Sequence, residues 1–97
     1  MAVGLRIKFE GGTQEQYDAI SSQLRADQTP PEGLILHAAG PIDGGWGLIE
    51  FWDSRDAYDR FVGSRLGPAA QALGDRTFTA PPDIKEFPVH NIISRSG

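Results

Sequence analysis

Two histidines, two tyrosines, and a glutamate set between two tryptophans are the side chains of this chain best suited to chemistry. The glutamate, Glu50, lies in the stretch Gly44 to Ser54, GGWGLIEFWDS, with Trp46 four residues before it and Trp52 two residues after. If this stretch is a strand, alternate residues share a face. Trp46, Leu48, Glu50 and Trp52 then point one way, and Ile49 and Phe51 the other. A carboxylate among indoles and a leucine is desolvated, which favours its neutral form and suits a general acid or base. The plainer alternative is a cross-strand ion pair between Glu50 and Arg6 or Lys8. His90, beside Asn91, is the second catalytic candidate, because an imidazole titrates near neutral pH. Trp46 and Trp52 suit stacking on a planar ligand. Tyr17 and Tyr58 put phenols on apolar helix stripes, within reach of a molecule lodged between helix and sheet. His37 is a further ligand-binding candidate.

Other chemistries lack their residues. There is no cysteine, so thiolate catalysis, disulfides and thiolate metal sites are excluded. His37 and His90 fall on different strands with no metal-ligand spacing, and neither a metal nor a cofactor is expected. Gly44-Gly45-Trp46-Gly47 leads into a strand rather than a helix N-terminus, so it is no phosphate loop. Gly11-Gly12 precedes a helix, but no lysine follows at the spacing a phosphate loop needs. The net charge is −4 with no basic cluster, which argues against nucleic acid and membrane surfaces as partners. MAVGLRIKFE carries charges among its apolar residues, so it reads as a strand and not as a secretory signal. A cytoplasmic protein is expected.

The elements that must position these residues can be read along the 97 residues, which suit one domain, 1–97. Val3, Leu5, Ile7 and Phe9 alternate with Gly4, Arg6 and Lys8, the pattern of a half-buried strand. Thr13-Gln14-Glu15-Gln16 has the form of a capping box, and Tyr17, Ile20 and Leu24 follow on one helical face. That helix is expected to stop near Ala26, ahead of Pro30-Pro31. Gly33 to Ala39 reads as a second strand, with Leu34, Leu36 and Ala38 on one face and Ile35, His37 and Ala39 on the other. Gly40 to Gly45 reads as a somewhat long hairpin loop. Trp46 to Asp53 is the third strand. Ser54 is a natural N-cap, and Tyr58, Phe61, Val62, Leu66 and Ala69 form a helical stripe interrupted at Gly67-Pro68. A last strand, Ile84 to Ile92, contains Pro88, which belongs on a sheet edge.

The order β-α-β-β-α-β is the split arrangement of an α+β, ferredoxin-like domain with a four-stranded antiparallel sheet. Right-handed crossovers put strands one and three in the centre and strands two and four at the edges. Both faces of the third strand are apolar, so two covers are needed: the helix layer and a second subunit. The simplest arrangement turns the tryptophans outward to a homodimer packed sheet against sheet. The other puts them under the helices and leaves Ile49 and Phe51 to the partner.

With Glu50-Phe51-Trp52-Asp53-Ser54 closing the third strand ahead of a helix, the chain resembles the dimeric α/β-barrel proteins. It is most similar to the antibiotic-biosynthesis-monooxygenase-like domains, which often carry Glu-x-Trp-x-Ser at this place. The resemblance covers nearly the whole chain in topology. It implies a homodimer and an apolar pocket for a small, often aromatic, molecule. That family includes cofactor-independent oxygenases acting on aromatic polyketides and haem-degrading enzymes, and related barrels include isomerases and cyclases. Many of its oxygenase-like members have a histidine in the second helix. Here that region reads Ala57-Tyr58-Asp59-Arg60-Phe61-Val62, which argues against haem ligation. Two functional readings stand: a cofactor-independent monooxygenase-like or isomerase-like enzyme, and a non-enzymatic ligand-binding or regulatory domain.

Overall fold

The structure, a computed structural model, describes residues 1–95. The first strand, β1 (Val3–Glu10), runs through the centre of a four-stranded sheet of order β2-β3-β1-β4. Its neighbours are β3 (Gly45–Trp52) and β4 (Asp83–Pro88), both antiparallel to it, and β2 (Leu34–Ile42) pairs with the far side of β3. The two edges are therefore β2 and the proline-bearing β4, as right-handed crossovers require. Helices α1 (Gln14–Leu24), α2 (Arg55–Phe61) and α3 (Gly67–Leu73) complete the fold.

Local chemistry sets the helix ends. The Thr13 hydroxyl accepts from the Gln16 N–H and the Gln16 side chain accepts from the Thr13 N–H, a closed capping box. α1 ends at Arg25, in left-handed backbone at φ 54°. Ser54 caps α2 by accepting from the Ala57 N–H at 3.1 Å. The interruption expected at Gly67-Pro68 takes the form of a π turn over Val62–Leu66, in which the Gly67 N–H reaches back to Val62 O. Proline has no N–H, and its ring crowds the carbonyl four residues back, so the wider turn lets the helix resume as α3.

Two departures from the sequence reading matter for the site. The loop between β2 and β3 is tight: Ile42 pairs with Gly45, leaving only Asp43-Gly44 between them. Gly44 takes φ 81°, and Asp-Gly is a strong hairpin signal. Pairing therefore continues through Gly40 and Pro41. The second departure is an irregularity between Leu34 and Leu36: Leu34 opposes Trp52 while Leu36 opposes Phe51, so Ile35 is an extra residue in β2. Such a bulge inverts the facing of everything beyond it. Leu34, His37 and Ala39 therefore share one face, and Leu36 and Ala38 the other. β4 is also shorter than expected and ends at Pro88.

The tryptophan face lies under the helices. Val3, Leu5, Ile7, Trp52, Ala57 and Tyr58 form the main buried cluster, and Ile20, Ala69 and Leu73 a second one joining α1 to α3. Burying each large aliphatic side chain contributes about 1.5–3 kcal/mol. The outward arrangement of the tryptophans is thereby corrected: the helix layer supplies their cover, and Leu36, Ile42, Ile49 and Phe87 are exposed apolar residues left on the opposite side, at 50%, 46%, 41% and 42%. Phe87 packs edge-on against Phe51. It lies over Gly4, where an added Cβ would overlap the ring.

Where the hairpin returns, a Cβ on Gly45 would fall 2.1 Å from the Phe9 carbonyl oxygen, whereas one on Gly40 meets nothing. Gly45→Ala is expected to lower stability by about 2 kcal/mol or more, and Gly40→Ala to change it by less than about 0.5 kcal/mol. Urea unfolding of the two variants checks this.

Candidate functional site

Glu50 is 5% exposed, and its carboxylate is held at both oxygens. One oxygen accepts from the Trp52 indole N–H at 3.0 Å. The other lies 2.7 Å from His37 Nδ1. Because a carboxylate only accepts, Nδ1 carries the proton in the neutral ring and Nε2 is left with its lone pair. The Tyr17 hydroxyl sits 2.7 Å from that nitrogen, so the phenol donates to the imidazole. The result is a continuous chain from α1 through β2 to β3: Tyr17, His37, Glu50, Trp52. Its inner end is buried, with Trp52 1% exposed, whereas the His37 side chain, farther out, is 31% exposed.

Each member is placed by the elements just described. The bulge at Ile35 puts His37 directly opposite Glu50 in the register. Period-two alternation along β3 puts Trp46 and Trp52 on the Glu50 face. The capping box starts α1 just before Tyr17, whose ring lies 5.4 Å from Trp46 and 6.0 Å from His37. Tyr58, from α2, packs edge-on against Trp52 at 5.6 Å.

The ion pair weighed against this site does not form. Lys8 pairs with Glu10 at 3.0 Å, and Arg6 is on the outer face, opposite Ile49 and Lys85. Nor does the structure bring His90 to Glu50. It is exposed beyond the end of β4, and no hydrogen bond or ion pair ties it to Tyr17, His37 or Glu50. Trp46 is 7% exposed, and its indole N–H is buried with no acceptor among the described residues. The direct partnership of His37 with Glu50 is the feature sequence reasoning missed. Its only trace was the bulge, which carries no glycine or proline to announce it. Among the described residues, no three of His, Asp and Glu converge as a metal site would require, and no helix is long and apolar enough to cross a membrane.

Burial holds both phenols in their protonated form. Desolvation, with the Glu50 charge in support, pushes Tyr58 up to about 12 from its ordinary 10.0. Tyr17 is raised in the same direction, chiefly by burial and then by Glu50 and Asp18, with the Ser21 hydroxyl pulling the other way.

No family model matches the sequence, and no curated protein does. Solved structures match its fold. A protein of Caulobacter crescentus, provisionally assigned as an antibiotic biosynthesis monooxygenase, superposes with a TM-score of 0.72 at 15% identity, over 93% of this chain and 91% of that one. A structure from Mycobacterium tuberculosis gives 0.64 at 21% identity, over 97% and 100%. SnoaB of Streptomyces nogalater, a cofactor-independent oxygenase, gives 0.62 at 16% identity, over 95% of each chain. These structures share the ferredoxin-like α+β fold of this chain.

The Tyr58 shift has a consequence for stability. Below pH 10 the phenol is neutral in both folded and unfolded chains, and its contribution is fully present. Between pH 10 and about 12 the unfolded chain releases this proton while the folded one keeps it, so stability falls as pH rises. The fall amounts to about 2 kcal/mol. Urea midpoints at pH 8 and pH 11.5 are expected to converge markedly in Tyr58→Phe relative to the unaltered chain.

Proposed function

We propose that this chain is a cytoplasmic, cofactor-independent monooxygenase-like enzyme acting on an electron-rich aromatic molecule, with His37 as its base and Glu50 behind it. The observation that carries this reading is the 2.7 Å contact between His37 Nδ1 and the buried Glu50 carboxylate. It fixes the tautomer, aims Nε2 outward, and stabilises the imidazolium that forms when Nε2 takes a proton. The oxygenase named among the structures of this fold supports the reaction class.

For an aromatic ketone with an acidified methylene, the methylene and one dioxygen give a carbonyl and one water. His37 Nε2 removes one proton from the hydroxyl of the ketone's phenol tautomer, and the anion that forms carries the electron pair at the former methylene carbon. The carbanion delivers its electrons to dioxygen one at a time, and a carbon–oxygen bond forms. The imidazolium returns the proton to the distal oxygen. The hydroperoxide then gives up the remaining hydrogen on that carbon, the oxygen–oxygen bond breaks, and water leaves behind the carbonyl. Trp52 and Tyr58 form an apolar wall behind the base, and Trp46 a wall beside it, which keeps water from reprotonating the carbanion.

The enzyme works as a homodimer through the outer sheet face, where Leu36, Ile49, Phe51 and Phe87 lie together. An open groove of about 390 Å³ runs along the same face beside the hairpin. A second reading, a ligand-binding domain without turnover, is favoured by one observation: Tyr17 already occupies the His37 nitrogen.

Oxygen uptake with hydroxylated tricyclic ketones decides between them. The enzyme reading expects uptake above the buffer rate, reduced about 10²–10⁴-fold in His37→Gln and in Glu50→Gln. Full rates in both folded variants overturn the assignment of the base. Binding without uptake supports the second reading. Ile49→Lys is expected to yield a monomer in sedimentation velocity, and a dimer unchanged by that substitution contradicts the interface.

A further inference from the structure

Resting on the reading of His37 as the base, we propose that Tyr17 holds the place of the substrate. The molecule that displaces it is a planar phenol with a second oxygen, received by His37 Nε2 at one oxygen and by the Trp46 indole N–H at the other.

Three observations converge on this. Tyr17 is itself a phenol, and its hydroxyl makes the contact a substrate hydroxyl would make, 2.7 Å from Nε2. Its ring is nearly parallel to the His37 ring, at 14°, and lies tilted against Trp46. The surface it occupies is thus already shaped for a flat aromatic. Finally, Trp46 keeps a buried N–H with no acceptor among the described residues. An orphaned buried donor is costly, and chains rarely retain one without a use. Trp52, the other indole, has its acceptor in Glu50. The two indoles of the chain therefore differ in kind: one is satisfied within the fold, and the other is free to recognise something that comes in.

Tyr17 belongs to the first turn of α1 and is only half-buried, so it can leave by side-chain rotation without unfolding the helix. While it is in place, it competes with the ligand. The apparent affinity is reduced by the fraction of molecules in which it has swung out.

The test uses dihydroxynaphthalene as probe and naphthalene as control, followed in the proton–nitrogen correlation spectrum of the full chain. Two indole cross-peaks are expected, with Trp46 assigned by its loss in Trp46→Phe. Dihydroxynaphthalene should move the Trp46 cross-peak downfield and leave that of Trp52 in place. Tyr17→Ala should bind the probe at least ~10-fold tighter than the unaltered chain. Tyr17→Phe keeps the ring and the packing, and should bind roughly 3- to 5-fold tighter because only the internal hydrogen bond is lost. Tyr17→Phe serves as the deciding variant where Tyr17→Ala fails to fold. The proposal is overturned if the Trp46 cross-peak does not respond, if naphthalene binds as well as its dihydroxy derivative, or if removing the Tyr17 hydroxyl does not tighten binding. None of these readouts involves oxygen uptake, so tighter binding without turnover would leave this inference standing and remove the oxygenase reading. Turnover with an unresponsive Trp46 would do the reverse.

Discussion

The arrangement depends on one constraint: a carboxylate has been taken out of water beneath a helix layer. Glu50 left alone there would cost several kcal/mol, and the fold can keep it only by bringing donors to both oxygens. Trp52 supplies one from the same strand, two residues on. The other must come from a neighbour. His37 is on an edge strand, and it reaches Glu50 because an extra residue in β2 turns it inward. The bulge, the burial of β3 and the polar chain are therefore consequences of one requirement rather than separate features.

The two sides of the sheet divide the remaining work. The inner side is closed by two apolar clusters, one between sheet and α2 and the other between α1 and α3. The π turn at Val62–Leu66 lets the α2–α3 segment accept Pro68 and still lay Ala69 and Leu73 against Ile20. The outer side keeps Leu36, Ile49 and Phe87 exposed, alongside Arg6 and Lys85 opposite each other. Like charges in register are unfavourable unless solvated or met by acidic groups, so this side combines apolar area with a strong preference about what may cover it.

Much of this was legible in the amino-acid order. The alternation of Val3, Leu5, Ile7 and Phe9, the capping box at Thr13, the Ser54 cap and the position of Pro88 identify the elements and the sheet order. The grouping of Glu50 with both tryptophans follows from period two alone. What was not legible was parity on β2. Ile35 is a good strand residue, and nothing in its type reveals that it pairs with no one. Without it, His37 falls on the wrong face, and the search for a partner to Glu50 goes instead to Arg6 or Lys8. The hairpin was misjudged for the opposite reason. Asp43-Gly44 is a sufficient turn, but Gly40, Pro41 and Gly45 around it suggest a longer loop, although pairing continues through all three.

The bulge also bears on how this chain should be compared with its structural relatives. Beyond Ile35, correspondence along β2 is a matter of counting. A relative with the same fold and the same number of residues before its own histidine, but no bulge, would show that histidine to the opposite side of the sheet. Aligned letter by letter without a gap, the two histidines would coincide on paper and lie back to back in space. Equivalence at this strand has to be established by which residue opposes Glu50, not by which residue shares a column with His37.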